Sequence, residues 1–447
     1  MLRSLVTGGL LAGAATGATA QVSQGTSGTQ PAQPLLHRPV GRITYTFDTK
    51  QRDETVASRR DTELATVITF ETPDFEGRGV EFGFDLHHAG RTGTDVQRVS
   101  LYDGFAGVRL GQKGQWRLRA GHMRLEDLGR AGALAGGLVE FQQPRRDAQA
   151  TRVRAGAFTG REPLADEMGY AADVRKTGGY FTVEHGNQRR HAIGYTRVQR
   201  GPLVERSLMN LTNSVSAGSS VSLNQAAEFD VSGPANGLGA KGLAYFLANL
   251  RVTPAPRVEL FGTYNRGRSI DARALTDNLR NGRALTPQSI EGLLYESRGG
   301  RLTVEVAPNV RVYAGYARDR NNREDSATGR VTLGGHAANL LGTGFDVSAS
   351  NARIDRPGGA YQSRYVSIGH SLGPSVHVSG DYSTSLSVVR VVRSDGLVIE
   401  THPWMRRFSG HGSIAFNHRW SLQFTCDYER DDRARQIRVL SGLEVRL

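Results

Sequence analysis

Apolar and polar residues alternate with a period of two in segment after segment from Gly41 to Leu447. In the last of these, Ile437, Val439, Leu443, Val445 and Leu447 share one face, and Gln436, Arg438, Gly442, Glu444 and Arg446 share the other. Ile43, Tyr45 and Phe47 oppose Arg42, Thr44, Thr46 and Asp48, while Val80, Phe82, Phe84 and Leu86 oppose Glu81, Gly83, Asp85 and His87. Successive side chains of a strand point to opposite faces, so each segment predicts a strand with one thin apolar face and one charged face. Charge at alternate sites is costly inside a sandwich and tolerated against water. Many such strands in one chain predict a closed sheet with lipid outside and water within.

The punctuation between segments supports this. Pro254-Ala255-Pro256, Pro308-Asn309, Gly373-Pro374 and Asn417-His418-Arg419 each precede a fresh alternating run, as short turns on one rim would. Polar stretches at 49–60, 161–167, 319–328 and 429–435 suit the other rim. The longest interruption, 269–299, has Ala272, Leu275, Leu279, Ile290, Leu293 and Leu294 at helical spacing and a helix-start signal at Thr286-Pro287-Gln288-Ser289. Two readings stay open for it: a constriction folded inward or a surface loop. Trp116 and Trp420, each just after a turn, are candidates for an aromatic girdle at the membrane interface. At about 20 residues per strand and connection, the chain predicts about 18 to 22 antiparallel strands in an up-and-down transmembrane β-barrel. Between Leu203 and Asn249 the alternation is diluted and the register open.

Before the barrel, residues 1–20 read as a signal peptide, with Arg3, an apolar stretch and Ala18-Thr19-Ala20 as an A-x-A site. Residues 21–40 read as a flexible periplasmic lead-in and 41–447 as the barrel. No later segment approaches the length of a spanning helix, which excludes helical inner-membrane residence. The one cysteine, Cys426, rules out an internal disulfide framework and falls on the apolar face of its strand.

Leader, alternation, short turns and final strand together resemble the bacterial, Gram-negative outer-membrane β-barrels of porin-like type. Gly442, Val445 and Leu447 are similar to that family's C-terminal assembly signal, with Leu447 standing where Phe or Trp is usual. The resemblance implies an outer-membrane location after signal-peptide-dependent export, outer-membrane lipid and the barrel-assembly machinery as partners, and no cofactor. Oligomeric state is open.

The net charge of +13 comes almost wholly from arginine, the lysines being Lys50, Lys113, Lys176 and Lys241. The arginines are spread along the chain, which argues against nucleic-acid binding. On the polar face fall Arg117, Arg119, Arg152, Arg154, Arg257, Arg301 and Arg311, with Glu259 and Glu305, as candidate lumen-lining residues. Guanidinium forks suit carboxylates, phosphates and sulfates, so the expected function is passive, porin-like diffusion of small hydrophilic solutes with a modest anion preference. The alternatives are an export channel for an anionic exopolysaccharide and a plugged structural or enzymatic barrel, for which Glu259 with Arg257 and Glu305 with Arg301 supply candidate ion pairs.

Apparent catalytic motifs fail on context. Gly369-His370-Ser371-Leu372-Gly373 fits a nucleophile elbow but runs into Pro374 and a strand rather than a helix. Gly237, Gly239 and Gly242 fit a dinucleotide fingerprint without the following helix. His87, His88, His402, His411 and His418 lack metal-ligand spacing, so no metal site is expected; Asp85 with His87 is the place to look for catalysis.

Overall fold

The structure is a computed structural model. It describes residues 40–446 except 55–57, 76–78, 92–96, 145–146, 148, 165–168, 187, 233–241, 270–276, 279–280, 282, 284–291, 325, 357 and 393–396. The expected signal peptide, the lead-in up to residue 39, Leu447 of the assembly signal, Gly237 and Gly239, and the helix-start signal at 286–289 therefore lie outside the described residues.

The strands are β1 Val40–Glu54, β2 Ser58–Phe75, β3 Val80–Arg91, β4 Gln97–Leu110, β5 Trp116–Arg124, β6 Ala133–Gln142, β7 Thr151–Pro163, β8 Tyr170–His185, β9 Arg189–Arg200, β10 Leu203–Ala217, β11 Val221–Ser232 and β12 Gly242–Ala255. They continue with β13 Val258–Ser269, β14 Leu293–Ala307, β15 Val310–Asn321, β16 Thr328–Ala337, β17 Phe345–Arg356, β18 Gly359–Leu372, β19 Val376–Val392, β20 Val398–Thr401, β21 Trp404–Ala415, β22 Trp420–Asp431 and β23 Ala434–Arg446. Each pairs antiparallel with its neighbours, and β1 pairs with β23, so the sheet closes. The short β20 and the longer β21 pair with successive parts of β19 and act as one strand interrupted at 402–403. The circuit therefore has 22 strands, the upper end of the range predicted.

Alternation sets inside from outside. Tyr45, Phe47, Leu64, Phe84, Leu118, Ile193, Leu260, Leu302, Val312, Leu333, Ile368, Phe408 and Phe424 are exposed on the outer face. The buried polar residues, Glu81, Glu140, Lys176, Thr182, Thr196, Glu205, Asn210 and Asp427 among them, lie within. This inversion of a soluble protein marks a wall that meets lipid outside. Twenty-two strands spaced about 4.8 Å apart and tilted about 40° enclose a wall roughly 44 Å across. Side chains from opposite walls cannot meet over that span, so anything that crosses it is built by a connection.

The four short turns expected on one rim all lie on the rim where β1 begins and β23 ends, here called the near rim: 256–257, 308–309, 373–375 and 416–419. The polar tips at 55–57, 164–169, 322–327 and 432–433 lie on the far rim, as does the longest connection, 270–292. Among the described residues, two 3-10 turns occur outside the long segment. One, η1, spans Glu126–Ala131 between β5 and β6, and the other, η2, spans Leu340–Gly342 between β16 and β17. Leu293 and Leu294, read as helical, are the start of β14. Within 270–292 a helical turn is described at Asp277 and Asn278.

Candidate functional site: the inner wall and its inward loop

Strands β5 and β6 are short, 9 and 10 residues, and their connection leaves the wall early. It turns inward and packs on β8, β9 and β10. The loop is closed at its base by the Leu125 N–H donating to the Gly132 carbonyl at 2.8 Å. A Cβ at Gly132 would sit 2.1 Å from the Leu125 oxygen, and Gly129 takes a left-handed φ of 54°, so both positions require glycine. Leu128, fully buried, seats on Gly194 of β9, where a Cβ would lie 2.2 Å from its Cδ2. Leu125 and Leu128 join Phe105, Met123, Leu134, Leu138, Phe158 and Tyr180 in an apolar cluster inside the barrel. Burying each leucine contributes roughly 1.5–3 kcal/mol, enough to hold so short a loop. Gly194→Val is accordingly expected to lever η1 off the wall, seen as new protease cleavage within residues 125–132 of an otherwise heat-modifiable barrel.

Beside this cluster runs a wall of ion pairs. Glu81 on β3, fully buried, accepts from Arg117 Nε and Arg119 Nε at 2.6 Å each and from Arg109 Nη2 at 3.4 Å. Arg119 also lies over the Phe105 ring, 4.0 Å from its centroid. Arg117 continues the chain to Glu140 at 3.6 Å, and Glu140 accepts from the Tyr180 hydroxyl. Arg154 donates to Asp127 of η1 at 2.6 Å and stands 3.5 Å from Glu184 and 3.8 Å from Glu140. Arg190 also donates to Asp127, and Arg152 lies 3.8 Å from Glu184. Asp127 is thus a carboxylate that the loop delivers between two guanidiniums of the opposing strands.

The other candidate positions form a looser group. Glu259 on β13 pairs with Arg251 at 2.8 Å and lies 4.0 Å from Arg301, and Glu305 pairs with Arg311 at 3.6 Å. The pairs expected along a strand, Glu259 with Arg257 and Glu305 with Arg301, give way to pairs between strands: Glu305 and Arg311 are direct cross-strand neighbours, and Arg251 and Arg301 reach Glu259 from the two flanking strands. Arg257 sits in the 256–257 connection, where its carbonyl accepts the Glu305 N–H at 2.8 Å. Arg301 and Arg311 stay water-exposed at 50% and 61%, against 13% and 18% for Arg119 and Arg117. The inner face therefore has a packed wall on β3 to β9 and an open wall on β13 to β15.

Two further polar features face inward. Asp381 accepts from the Tyr365 hydroxyl at 3.0 Å and meets His411 Nε2 at 2.8 Å, and His411 Nδ1 lies 3.1 Å from the Thr425 hydroxyl. Asp85 and His87 pair at 2.8 Å on β3. At the far rim, Arg200 bridges Asp173 at 2.7 Å and Asp277 at 2.5 Å, which ties the described turn of the 270–292 connection to β8 and β9. Trp116 and Trp420 are exposed on the outer face at the near rim, Trp116 against the Phe141 ring at 5.2 Å. Gly442 is buried opposite Thr46, and Val445 pairs with Ile43 and Trp420.

Sequence reasoning missed η1 and Asp127. The signal available was weak: Met123, Leu125 and Leu128 break the period of two just where β5 ends, and glycines at 121, 129, 132 and 136 make room.

The closed, inside-out antiparallel sheet defines the class: a 22-strand up-and-down β-barrel with an apolar outer face. No protein-family model and no curated protein matches the chain. Among solved structures it is similar to OccK11 (OpdR) of Pseudomonas aeruginosa, with 12% identity over 92% of this chain and 96% of that one and a TM-score of 0.42. It is also similar to OpdO of Pseudomonas aeruginosa, with 11% identity over 92% and 97% and a TM-score of 0.43. The P pilus usher (PapC) translocation pore gives 12% identity over 90% and 99%, with a TM-score of 0.48.

Proposed function

We propose that the protein is an outer-membrane channel for passive diffusion of small hydrophilic solutes, with a modest preference for anions. The observation that carries this reading is the open inner wall, where Arg301 and Arg311 face a wide polar interior with half or more of their side chains accessible to water. Exposed guanidiniums along a wet path attract anions and repel cations. Short near-rim turns set that rim in the periplasm, which agrees with export through the signal peptide read at residues 1–20. In this reading Trp116 and Trp420 sit at the periplasmic interface, and Gly442 with Val445 serves recognition by the assembly machinery.

The test is single-channel conductance and reversal potential of the refolded chain, residues 21–447, in a planar bilayer under a salt gradient. Stable anion-selective openings are expected. Arg311→Glu, on the open wall, is expected to move the reversal potential toward cation selectivity without loss of assembly; an unchanged potential would place the conducting path elsewhere. A second reading, a plugged barrel, draws on the apolar cluster under η1, which fills part of the interior. A folded barrel that stays silent in the bilayer would favour it.

A further inference from the structure

The outer face of β18, β19, β21 and β22 carries three rows of residues in direct cross-strand register. The lowest is Ile368, Gly380, Gly410 and Cys426; above it lie Val366, Tyr382, Phe408 and Tyr428; and toward the far rim lie Arg364, Thr384, Arg406 and Arg430. A Cβ at Gly380 or Gly410 would meet nothing within 4 Å, so the lowest row is a depression between Ile368 and Cys426. With the rings above it, Tyr382 and Phe408 at 4.7 Å, it forms an outward-opening apolar groove of about 570 Å³.

The top row sets up an electrostatic conflict. Arg406 stands directly opposite Arg430, and like charges in that position destabilise a ladder. Exposed arginines nearby have carboxylates: Arg390 reaches Glu400 at 2.7 Å, Arg353 reaches Asp355 at 3.1 Å and Arg435 reaches Asp53 at 3.4 Å. Among the described residues, Arg364, Arg406 and Arg430 are exposed and reach none, and Arg406 lies over the Trp404 ring at 5.3 Å. Three guanidiniums at the upper edge of an apolar belt, with a hydroxyl among them, offer forked donors to an external anion held at that height. An anion that also fills the groove below must carry a hydrocarbon chain.

We propose that this face binds a phosphate-bearing lipid of the outer leaflet, its phosphate between Arg406 and Arg430 with Arg364 and Thr384 at the side, and an acyl chain over Gly380 and Gly410. A headgroup that carries its own cation would leave the arginine repulsion in place, so net-negative headgroups are selected. The proposal rests on the reading of the outer face as lipid-facing.

The test is native mass spectrometry of the refolded barrel, residues 21–447, released from micelles containing diphosphoryl lipid A, phosphatidylcholine or inorganic phosphate. Retention of diphosphoryl lipid A is expected to exceed that of phosphatidylcholine at least tenfold. The double variant Arg406→Gln, Arg430→Gln is expected to lose that excess. Gly410→Leu, which fills the groove and keeps every arginine, is expected to weaken retention as well. Heat-modifiable migration and bilayer insertion of the same samples separate a failure of the lipid-facing reading from a failure of this site. Where the double variant does not fold, Arg364→Gln gives the same comparison. Equal retention in the wild type and the folded arginine variants would overturn the proposal, as would displacement of the lipid by inorganic phosphate with no effect of Gly410→Leu.

Discussion

Replacing residues 126–131 by a short Gly-Ser link is expected to raise single-channel conductance by roughly a factor of two, since conductance through a wide wet pore follows its free cross-section. Two physical changes add up. Leu128 no longer holds a loop across β8, β9 and β10, so part of the interior empties. Arg154 and Arg190 lose the Asp127 carboxylate, although Glu184 stays near them at 3.5 Å and 3.7 Å. The reversal potential should therefore move further toward anion selectivity along with the rise in conductance. The bilayer recording used for the wild-type chain reads both quantities. A folded deletion variant with unchanged conductance and potential would mean that ions pass along the open wall on β13 to β15 and that η1 is only a brace.

Glu81→Gln is expected to destabilise the barrel by about 3 kcal/mol, because removing one partner of a buried ion cluster leaves uncompensated charge. Glu81 is fully buried, and its three arginines are 13% to 34% exposed, so interior water relieves part of the repulsion and the effect falls at the lower end of that range. Urea unfolding of the refolded barrel, followed by loss of heat-modifiable migration, gives the midpoint shift. Glu259→Gln is the comparison. Glu259 and Arg251 are 27% and 57% exposed, and such pairs contribute at most about 1 kcal/mol. Equal shifts in the two variants would show that the packed wall is as wet as the open one.

The strands were legible because lipid and water impose opposite demands on adjacent residues. Ile437, Val439, Leu443 and Val445 lie on the outer face of β23 for the same reason that Gln436, Arg438 and Glu444 do not. The near-rim turns were legible because proline, glycine and asparagine are local instructions. What was hidden has two physical causes. Register shifts leave Glu205 of β10, Val231 of β11 and Ala244 of β12 as extra residues, so the face each strand shows changes near its far-rim end, and Ser, Asn, Gly and Ala dilute the alternation between those points. On β4 to β7, Phe105, Met123, Leu134, Leu138 and Phe158 place apolar side chains inside, where they cover η1 rather than face lipid. An inward apolar residue and an outward one look alike in a single chain. Likewise, spacing along one strand could not foretell that Glu81 would gather Arg109, Arg117 and Arg119, since those contacts follow from pairing between β3, β4 and β5.

The join between β1 and β23 constrains how the molecule comes into being. Arg438 grips Asp48 with two guanidinium nitrogens, at 2.6 Å and 2.9 Å, across a separation of 390 residues. Every other seam of the wall links neighbours along the chain, so this contact carries the largest loop-closure cost and rewards it last. Until it forms, two long strands expose unpaired backbone edges, each a template for another nascent copy. A bidentate clasp placed at that seam holds β1 and β23 in a single register and, once made, leaves neither edge open.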